Sequence, residues 1–358
     1  MVSSSKVLAA AASLGLVSGA SNSSRGNLTV ALVRSAPPKW PMPLMEMDWT
    51  GTVLNISETV DYGIELIQKA ADEGADMITF PELWFPGFPK GNALNNWTVD
   101  YLPMYIENTI TIGDSNWQRL IAAIANAQVY AGLAYAERLA DHIYMTQTLI
   151  APNGSVLHHR HKLRPSGSER WFFTDGEVEE IKAVTTPYGR VGMLECGEHL
   201  YHATRFLMAS QFEHLHLGPF PYLADEGDPD SLWWENVVQE SATGAAYAMM
   251  SGAYTFMTAI GAARAFDPLG NTIASIDAAA DMAEFPILYA SVDTSSFNLS
   301  KSYDVDGQTS WAIVKEMYDS YPAYIPRVEG DYVEYREKSV EWLMSGALTT
   351  ELGETFPS

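Results

Sequence analysis

Cys196 is the only cysteine among 358 residues, and it follows the short apolar strand-like run 191–194. Glu82 follows a similar run, 77–80, across Pro81, and Lys162 follows a third at 156–159. Each has a plain reading taken alone. A lone cysteine is commonly a small buried apolar side chain, a glutamate after a strand a surface residue or helix cap, and a lysine among basic neighbours a solvated one. Together the three supply a nucleophile, a proton acceptor and a cation for developing negative charge, which is the set that acyl transfer requires. In α/β folds the loops at the carboxyl ends of strands are where such groups meet.

The elements that must position them follow from hydrophobic period. Residues 28–33 form a β-branched apolar run and predict a buried strand. Val60, Ile64, Ile67 and Ala71 fall on one face of a helix near 57–73 that Gly74 ends, and 77–80 is a second strand stopped by Pro81. This is a βαβ unit. Trp117, Leu120, Ile121 and Ile124 make another helical face, before a strand at 129–135 and a hairpin of 144–150 with 156–159 on Pro152-Asn153-Gly154. Further on, the pattern predicts strands at 190–194 and 215–217, helices at 203–210 and 233–248, and a hairpin pairing 256–266 with 272–276. Such a mixture implies an α/β protein with helices covering sheet faces.

Composition narrows the rest. With 44 acidic and 21 basic residues the net charge is −23, which does not supply the clustered Lys and Arg of a nucleic-acid surface. One thiol allows neither an intrachain disulfide nor a Cys-rich zinc site. The apolar fraction of 47% argues for a large core. One domain is expected over 27–330, followed by an acidic C-terminal tail, 331–358. Residues 1–20 place Lys6 ahead of an apolar stretch and the small residues Ser18-Gly19-Ala20, the plan of a secretory signal. That stretch is too short to span a bilayer, so no membrane partner is expected. Asn22, Asn27, Asn55, Asn96, Asn153 and Asn298 head glycosylation sequons, six of thirteen asparagines. These features point to a secreted glycoprotein, with the cytoplasm as the alternative.

Three local sequences then carry a resemblance. Phe80-Pro81-Glu82-Leu83-Trp84-Phe85-Pro86-Gly87-Phe88-Pro89, His161-Lys162-Leu163-Arg164-Pro165 with Glu169-Arg170, and Gly192-Met193-Leu194-Glu195-Cys196-Gly197-Glu198-His199-Leu200 resemble, in order, the signature segments of the nitrilase branch of the carbon–nitrogen hydrolases. The resemblance implies a four-layer αββα sandwich with no cofactor and a small nitrile or amide substrate. It implies that Glu82 is the base, Lys162 the cation, Cys196 the nucleophile and Glu169 a second glutamate that orients Lys162. Trp84, Gly197, Glu198 and His199 are expected to line the substrate pocket. A homo-oligomer is also implied. The expected reaction turns a nitrile into its acid and ammonia through a thioimidate and a thioester; a hydratase or an amidase would use the same residues.

Two positions depart from the pattern. Gly197 stands where nitrilases usually have Trp, and Asp306-Gly307-Gln308-Thr309-Ser310-Trp311 stands where they commonly have His-Tyr-x-Arg-Pro-Asp. Gly197 is also the best support for a catalytically silent glycoprotein on the same fold. A metal reading rests on the eight histidines, all between His142 and His216, with pairs such as His159-x-His161 that face one side of a strand. No HExxH or Cys/His zinc spacing accompanies them, so no metal is expected.

Overall fold

Alternation along the first strand shows how the layers are built. In β1 (Asn27–Val33), Leu28, Val30 and Leu32 enter one buried cluster, while Ala31 and Val33 enter another, as a side-chain period of two requires. The computed structural model describes residues 26–41, 49–89, 97–225, 227, 236–295, 297, 311–320 and 337–355. In chain order the elements are β1, α1 (Ile56–Asp72), β2 (Met77–Thr79), α2 (Trp97–Asp100), α3 (Leu102–Glu107), α4 (Ser115–Ala127), β3 (Tyr130–Leu139), β4 (His142–Ile150) and β5 (Val156–His161). There follow β6 (Val184–Thr186), β7 (Gly189–Met193), α5 (His202–Ala209), β8 (Leu215–Tyr222), α6 (Val237–Ser251), β9 (Tyr254–Ile260), β10 (Ala263–Phe266), β11 (Thr272–Ile276) and β12 (Ile287–Asp293). Last come α7 (Trp311–Asp319), α8 (Val340–Met344) and α9 (Ala347–Thr355).

The strands form two six-stranded sheets, ordered β12-β1-β2-β3-β4-β5 and β11-β10-β9-β8-β7-β6. Each has a parallel centre, β1-β2-β3 and β7-β8-β9, with antiparallel strands outside it. Both sheets contribute to the layer between them: Val30, Met77, Val191, Met193, Leu215, Leu217 and Phe256 share one cluster. Outside the first sheet, α1 buries Val60, Leu66 and Ile67, and α4 buries Trp117, Leu120 and Ile124. Asn55 caps α1 by accepting from Ser57 N and Glu58 N, and Asp114 caps α4 through Trp117 N at 2.7 Å. Outside the second sheet, Met208 of α5 and Tyr247 of α6 pack with Leu194. The result is an α/β sandwich with helices on both outer faces, as expected.

Three expectations change in detail. The strand expected over 256–266 is two strands, because Gly261 at φ +92° turns the chain and β9 pairs back on β10. The strand expected at 215–217 continues to Tyr222 through Pro219 and Pro221, with a register shift against β9 between Pro219 and Tyr222. The helix expected at 233–248 is observed as α6 from Val237; residues 233–235 lie outside the described set. In the C-terminal segment, Val340, Leu343 and Leu348 are buried in the first-sheet cluster. The sequons at Asn22, Asn96 and Asn298, residues 1–20 and residues 306–310 also lie outside the described residues.

Candidate active site

Glu82, Lys162 and Cys196 reach one place because the two sheets meet there. Lys162 extends the β5 pairing, its N–H donating to Met145 O at 2.8 Å. Glu82 follows β2 in the first sheet, yet its N–H donates to Phe220 O of β8 in the second at 3.0 Å. That bond uses the stretch of β8 that sequence period had not assigned to a strand. Cys196 follows β7 and opens a short 3₁₀ turn, Cys196–His199, with φ of +41°. A side chain in that region costs about 1–3 kcal/mol. The surrounding turn holds the strain: Glu195 N donates to Glu198 Oε2 at 2.8 Å and Glu198 N to Glu195 O at 2.9 Å.

The Lys162 ammonium is wholly buried and sits between two carboxylates, 2.8 Å from Glu82 Oε1 and 2.8 Å from Glu169 Oε2. Burial pulls its pKa down, but Glu169 and Glu82 overcome that, and the Cys196 charge adds to them, so the net shift is well upward. It stays a cation. Glu82 is fully buried, and burial, opposed by Lys162, raises its pKa well above the usual carboxylate range. Its Oε2 is buried without a hydrogen-bond partner among the described residues. One oxygen of Glu82 is thus held by Lys162 and the other is open to take a proton. Glu169 is anchored in turn by Ser166, whose N–H donates to Glu169 Oε2.

The expected pocket residues fare differently. Trp84 is fully buried, its indole N–H donating to Ser35 O at 2.8 Å and its ring packed on Phe80, Phe85 and Tyr62. It is a core residue rather than a pocket wall, because the backbone reverses at Leu83 (φ +50°) and carries the indole inward. Glu198 is also structural: both oxygens are held by the buried Arg160 guanidinium at 2.6 and 2.8 Å, and Leu163 N donates to Oε1 at 2.9 Å. Its acceptors are spent within the protein. His199 is fully buried, with Nδ1 donating to Cys196 O at 2.9 Å. Gly197 is buried, and a Cβ there would lie 2.8 Å from Ser166 Oγ and 3.2 Å from the Tyr201 hydroxyl oxygen.

His199 begins a buried chain that sequence spacing did not reveal. Its Nε2 lies 2.8 Å from His216 Nε2, His216 Nδ1 lies 2.8 Å from Glu213 Oε2, and the Tyr247 hydroxyl donates to Glu213 Oε1. A carbonyl only accepts, so His199 Nδ1 carries a proton. Burial, then the neighbouring His216, hold His199 well below the ordinary histidine range, so its Nε2 is an acceptor and His216 Nε2 the donor. Gly192 is required here, since a Cβ would collide with Glu213 Oε2. Two more groups were missed. Glu195 is fully buried next to Cys196 with its pKa raised to about 7 by burial, against the opposing Lys162 and Arg160 charges. Tyr105 of α3, also buried, has its pKa raised by burial and then by Glu169 and Glu82. A tyrosine outside all three motif segments gives no local signal; only the fold brings it in.

The histidine spacings converge only in part. His159 and His161 both meet Glu137 Oε2, at 2.7 and 3.3 Å, and His161 Nδ1 lies 3.2 Å from Glu180 Oε1. Among the described residues this is the one His/Cys/Asp/Glu group compact enough to hold a metal ion. Burial raises Glu137, but hydrogen bonds from His159 and His161 bring it down to about 2, while Glu137 and Glu180 overcome burial and lift His161 to about 9. The charges are mutually compensated, and the cluster braces the end of β5, one residue before Lys162. His199 and His202 do not converge, His202 being exposed, and His214 stacks on Phe297 away from His216.

Against known proteins, the carbon–nitrogen hydrolase family model matches residues 29–299. A nitrilase of Talaromyces marneffei is 33% identical over 186 residues, 51% of this chain and 57% of that protein. A cyanide hydratase of Microdochium sorghi is 35% identical over 180 residues, 48% of this chain and 47% of that protein. The matched stretches thus span about half the length of these relatives. Among solved structures, an amidase from a Nesterenkonia species superposes with a TM-score of 0.60 at 15% identity, covering 82% of this chain and 97% of that one, a likeness of fold. With the family model matched over most of its length, the chain belongs to the carbon–nitrogen hydrolase family.

Proposed function

We propose that the protein is a thiol-dependent hydrolase of non-peptide carbon–nitrogen bonds, a nitrilase that converts an organic nitrile to its carboxylic acid and ammonia. The observation that carries this reading is the buried Lys162 clamped between Glu82 and Glu169, with the second Glu82 oxygen open and Cys196 on a strained turn beside it. A nitrile carbon is a weak electrophile, and a thiolate is the strongest soft nucleophile that side chains offer. Glu82 takes the Cys196 proton through Oε2, sulfur adds to the nitrile carbon, and Glu82 passes the proton to the nitrile nitrogen, giving a neutral thioimidate and a carboxylate free to act again. Lys162 stabilises the anionic species without surrendering its proton, which its raised pKa favours. Water, deprotonated by Glu82, adds to the thioimidate; Glu82 returns protons to the nitrogen, and the tetrahedral species expels ammonia and leaves a thioester. A second water releases the acid and restores the thiol.

The named relatives include a nitrilase and a cyanide hydratase, so the branch at the tetrahedral species is a real alternative. Expulsion of sulfur before nitrogen releases an amide instead. Ammonia release and product mass over a panel of nitriles and amides decide between them, with Cys196→Ala as control. The expected result is acid plus ammonia from the wild type and none from the variant; equal turnover by Cys196→Ala refutes the mechanism. We also propose secretion with glycosylation and a homo-oligomeric state. Exposure of Asn27 and Asn153 supports access to those sequons. Mass spectrometry of the native protein tests it: bare asparagines and an intact Met1 overturn secretion.

A further inference from the structure

The replacement at Gly197 is filled from elsewhere in the chain. The Cα of Gly197 is bonded next to the nucleophile's residue, and its vacant side-chain direction points at two hydroxyls. A Cβ would lie 2.8 Å from Ser166 Oγ, 3.2 Å from the Tyr201 hydroxyl oxygen and 3.5 Å from its ring carbon Cζ. Those hydroxyls are bonded to each other at 2.9 Å. Even alanine at 197 would press on the pair, so a large side chain there and this pair exclude one another.

Neither hydroxyl belongs to the core. Tyr201 is 42% exposed and Ser166 is half-buried. Ser166 is nevertheless fixed, since its N–H donates to Glu169 Oε2 and its C=O accepts from Glu169 N at 3.0 Å. The pair is therefore tied on one side to the carboxylate that holds Lys162 and on the other to the turn that carries Cys196. Two hydroxyls contain two donors and four acceptor sites, and their mutual bond uses one of each. Ser166 Oγ also accepts from Glu169 N in the capping box, so one O–H and two lone pairs remain for a ligand.

Resting on the nitrilase reading above, we infer that Tyr201, held by Ser166, is the specificity-determining wall beside Cys196, and that it selects nitriles whose substituent carries a hydrogen-bonding group. An apolar wall at this place would favour an apolar substituent and could reject a hydroxyl only weakly, whereas a wall built to bond a hydroxyl discriminates against the analogue that lacks it.

The test uses two nitriles of nearly equal size, 3-hydroxypropionitrile and butyronitrile, and the ratio of their kcat/KM values. The wild type is expected to prefer the hydroxynitrile by about tenfold, the worth of one hydrogen bond. Tyr201→Phe keeps the ring and removes the hydroxyl, and Ser166→Ala removes its partner; each should bring the ratio close to one. Gly197→Trp should lose turnover of both nitriles, and Tyr201→Ala added to it should restore butyronitrile turnover, because the two side chains compete for one space. Thermal midpoints accompany every variant. A pair that merely latches two loops would lower the midpoint in Tyr201→Phe and leave the ratio as it was, which overturns the inference. Equal use of the two nitriles by the wild type overturns it too, while the nitrilase reading stands. Turnover of neither nitrile nor any other by the wild type overturns both.

Discussion

Replacing Glu198 by Gln separates a pocket residue from an architectural one. The Glu198 carboxylate is fully buried and takes four donors: Arg160 Nη1 at 2.8 Å, Arg160 Nη2 at 2.6 Å, Leu163 N at 2.9 Å and Glu195 N at 2.8 Å. Gln keeps the shape but turns one oxygen into an N–H₂, which must face both an Arg160 N–H and a backbone N–H, donor against donor. It also leaves the buried Arg160 cation without its counter-charge. Breaking a buried pair from one side costs about 3–5 kcal/mol. Part of that is recovered locally: Arg160 lowers and Glu198 raises the pKa of Glu195, so removing the Glu198 charge lets Glu195, now at about 7, ionise and answer Arg160. A net loss of about 2–3 kcal/mol follows, which in a chain of 358 residues corresponds to a fall in thermal midpoint of about 3–4 °C. The assay is thermal unfolding by circular dichroism at neutral pH, with kcat and KM measured alongside. Since Glu198 joins Leu163, next to Lys162, to the Cys196 turn, kcat should fall more than KM rises. A variant that unfolds at the wild-type temperature and shows only a raised KM would refute this and return Glu198 to the substrate pocket.

Further outcomes follow from the same geometry. Glu169 raises the pKa of Glu82, so Glu169→Gln should move the acid limb of the kcat/KM profile to lower pH as well as reducing kcat; an unmoved limb would exclude Glu82 as its source. His161 is lifted to about 9 in the folded protein from an unfolded value near 6.5. Its contribution to stability is therefore fully present below about pH 6.5 and lost as pH rises through about 9. Thermal midpoints measured across that window should decline, and His161→Gln should flatten the decline. Gly192→Ala drives a methyl into Glu213 Oε2 and must break the Glu213–His216–His199 chain, so loss of soluble protein or of several degrees in midpoint is expected. A soluble Gly192→Ala protein with wild-type midpoint would show that the chain is not needed.

What the sequence made legible was what is local. The α1 face and its end at Gly74, the β4–β5 hairpin and the ends of β2, β5 and β7 are written in period and punctuation, and they place Glu82, Lys162 and Cys196 on loops at strand ends. The spacing of Lys162 and Glu169 likewise survives as a direct contact. Long-range pairings left no such trace. β12 joins β1 across the whole chain, pairing Asn27 with Asp293, and no short window contains that register. Tyr105, Arg160 and the Glu213–His216 pair gain their meaning from what the fold packs against them. Trp84 misled for a related reason: a motif fixes order along the chain, and a residue two positions from Glu82 points the opposite way once the backbone reverses at Leu83. The β8 extension was hidden by Pro219 and Pro221, residues that ordinarily argue against an interior strand.

That hidden extension bears on how the site is held. Glu82 comes from the first sheet and Cys196 from the second, so their separation is set by how the sheets pack. Glu82 N–H bonded to Phe220 O is a direct tie across them, and Gly132 of β3 adds a close approach: a Cβ there would lie 2.8 Å from Leu217 Cδ1 of β8. Thr258 of β9 donates to Val33 O at the end of β1, and Arg34 crosses the same gap to Gly261 O at 2.6 Å. Cys196 and Glu82 are therefore spaced by a close-packed interior, which resists small displacements. A void opened between the sheets by Phe256→Leu, in a strand that carries neither Glu82 nor Cys196, should lower kcat along with the thermal midpoint, because the packing of that layer helps to set their spacing. A lowered midpoint with kcat unchanged at a temperature where the variant stays folded would show that the site is held locally instead.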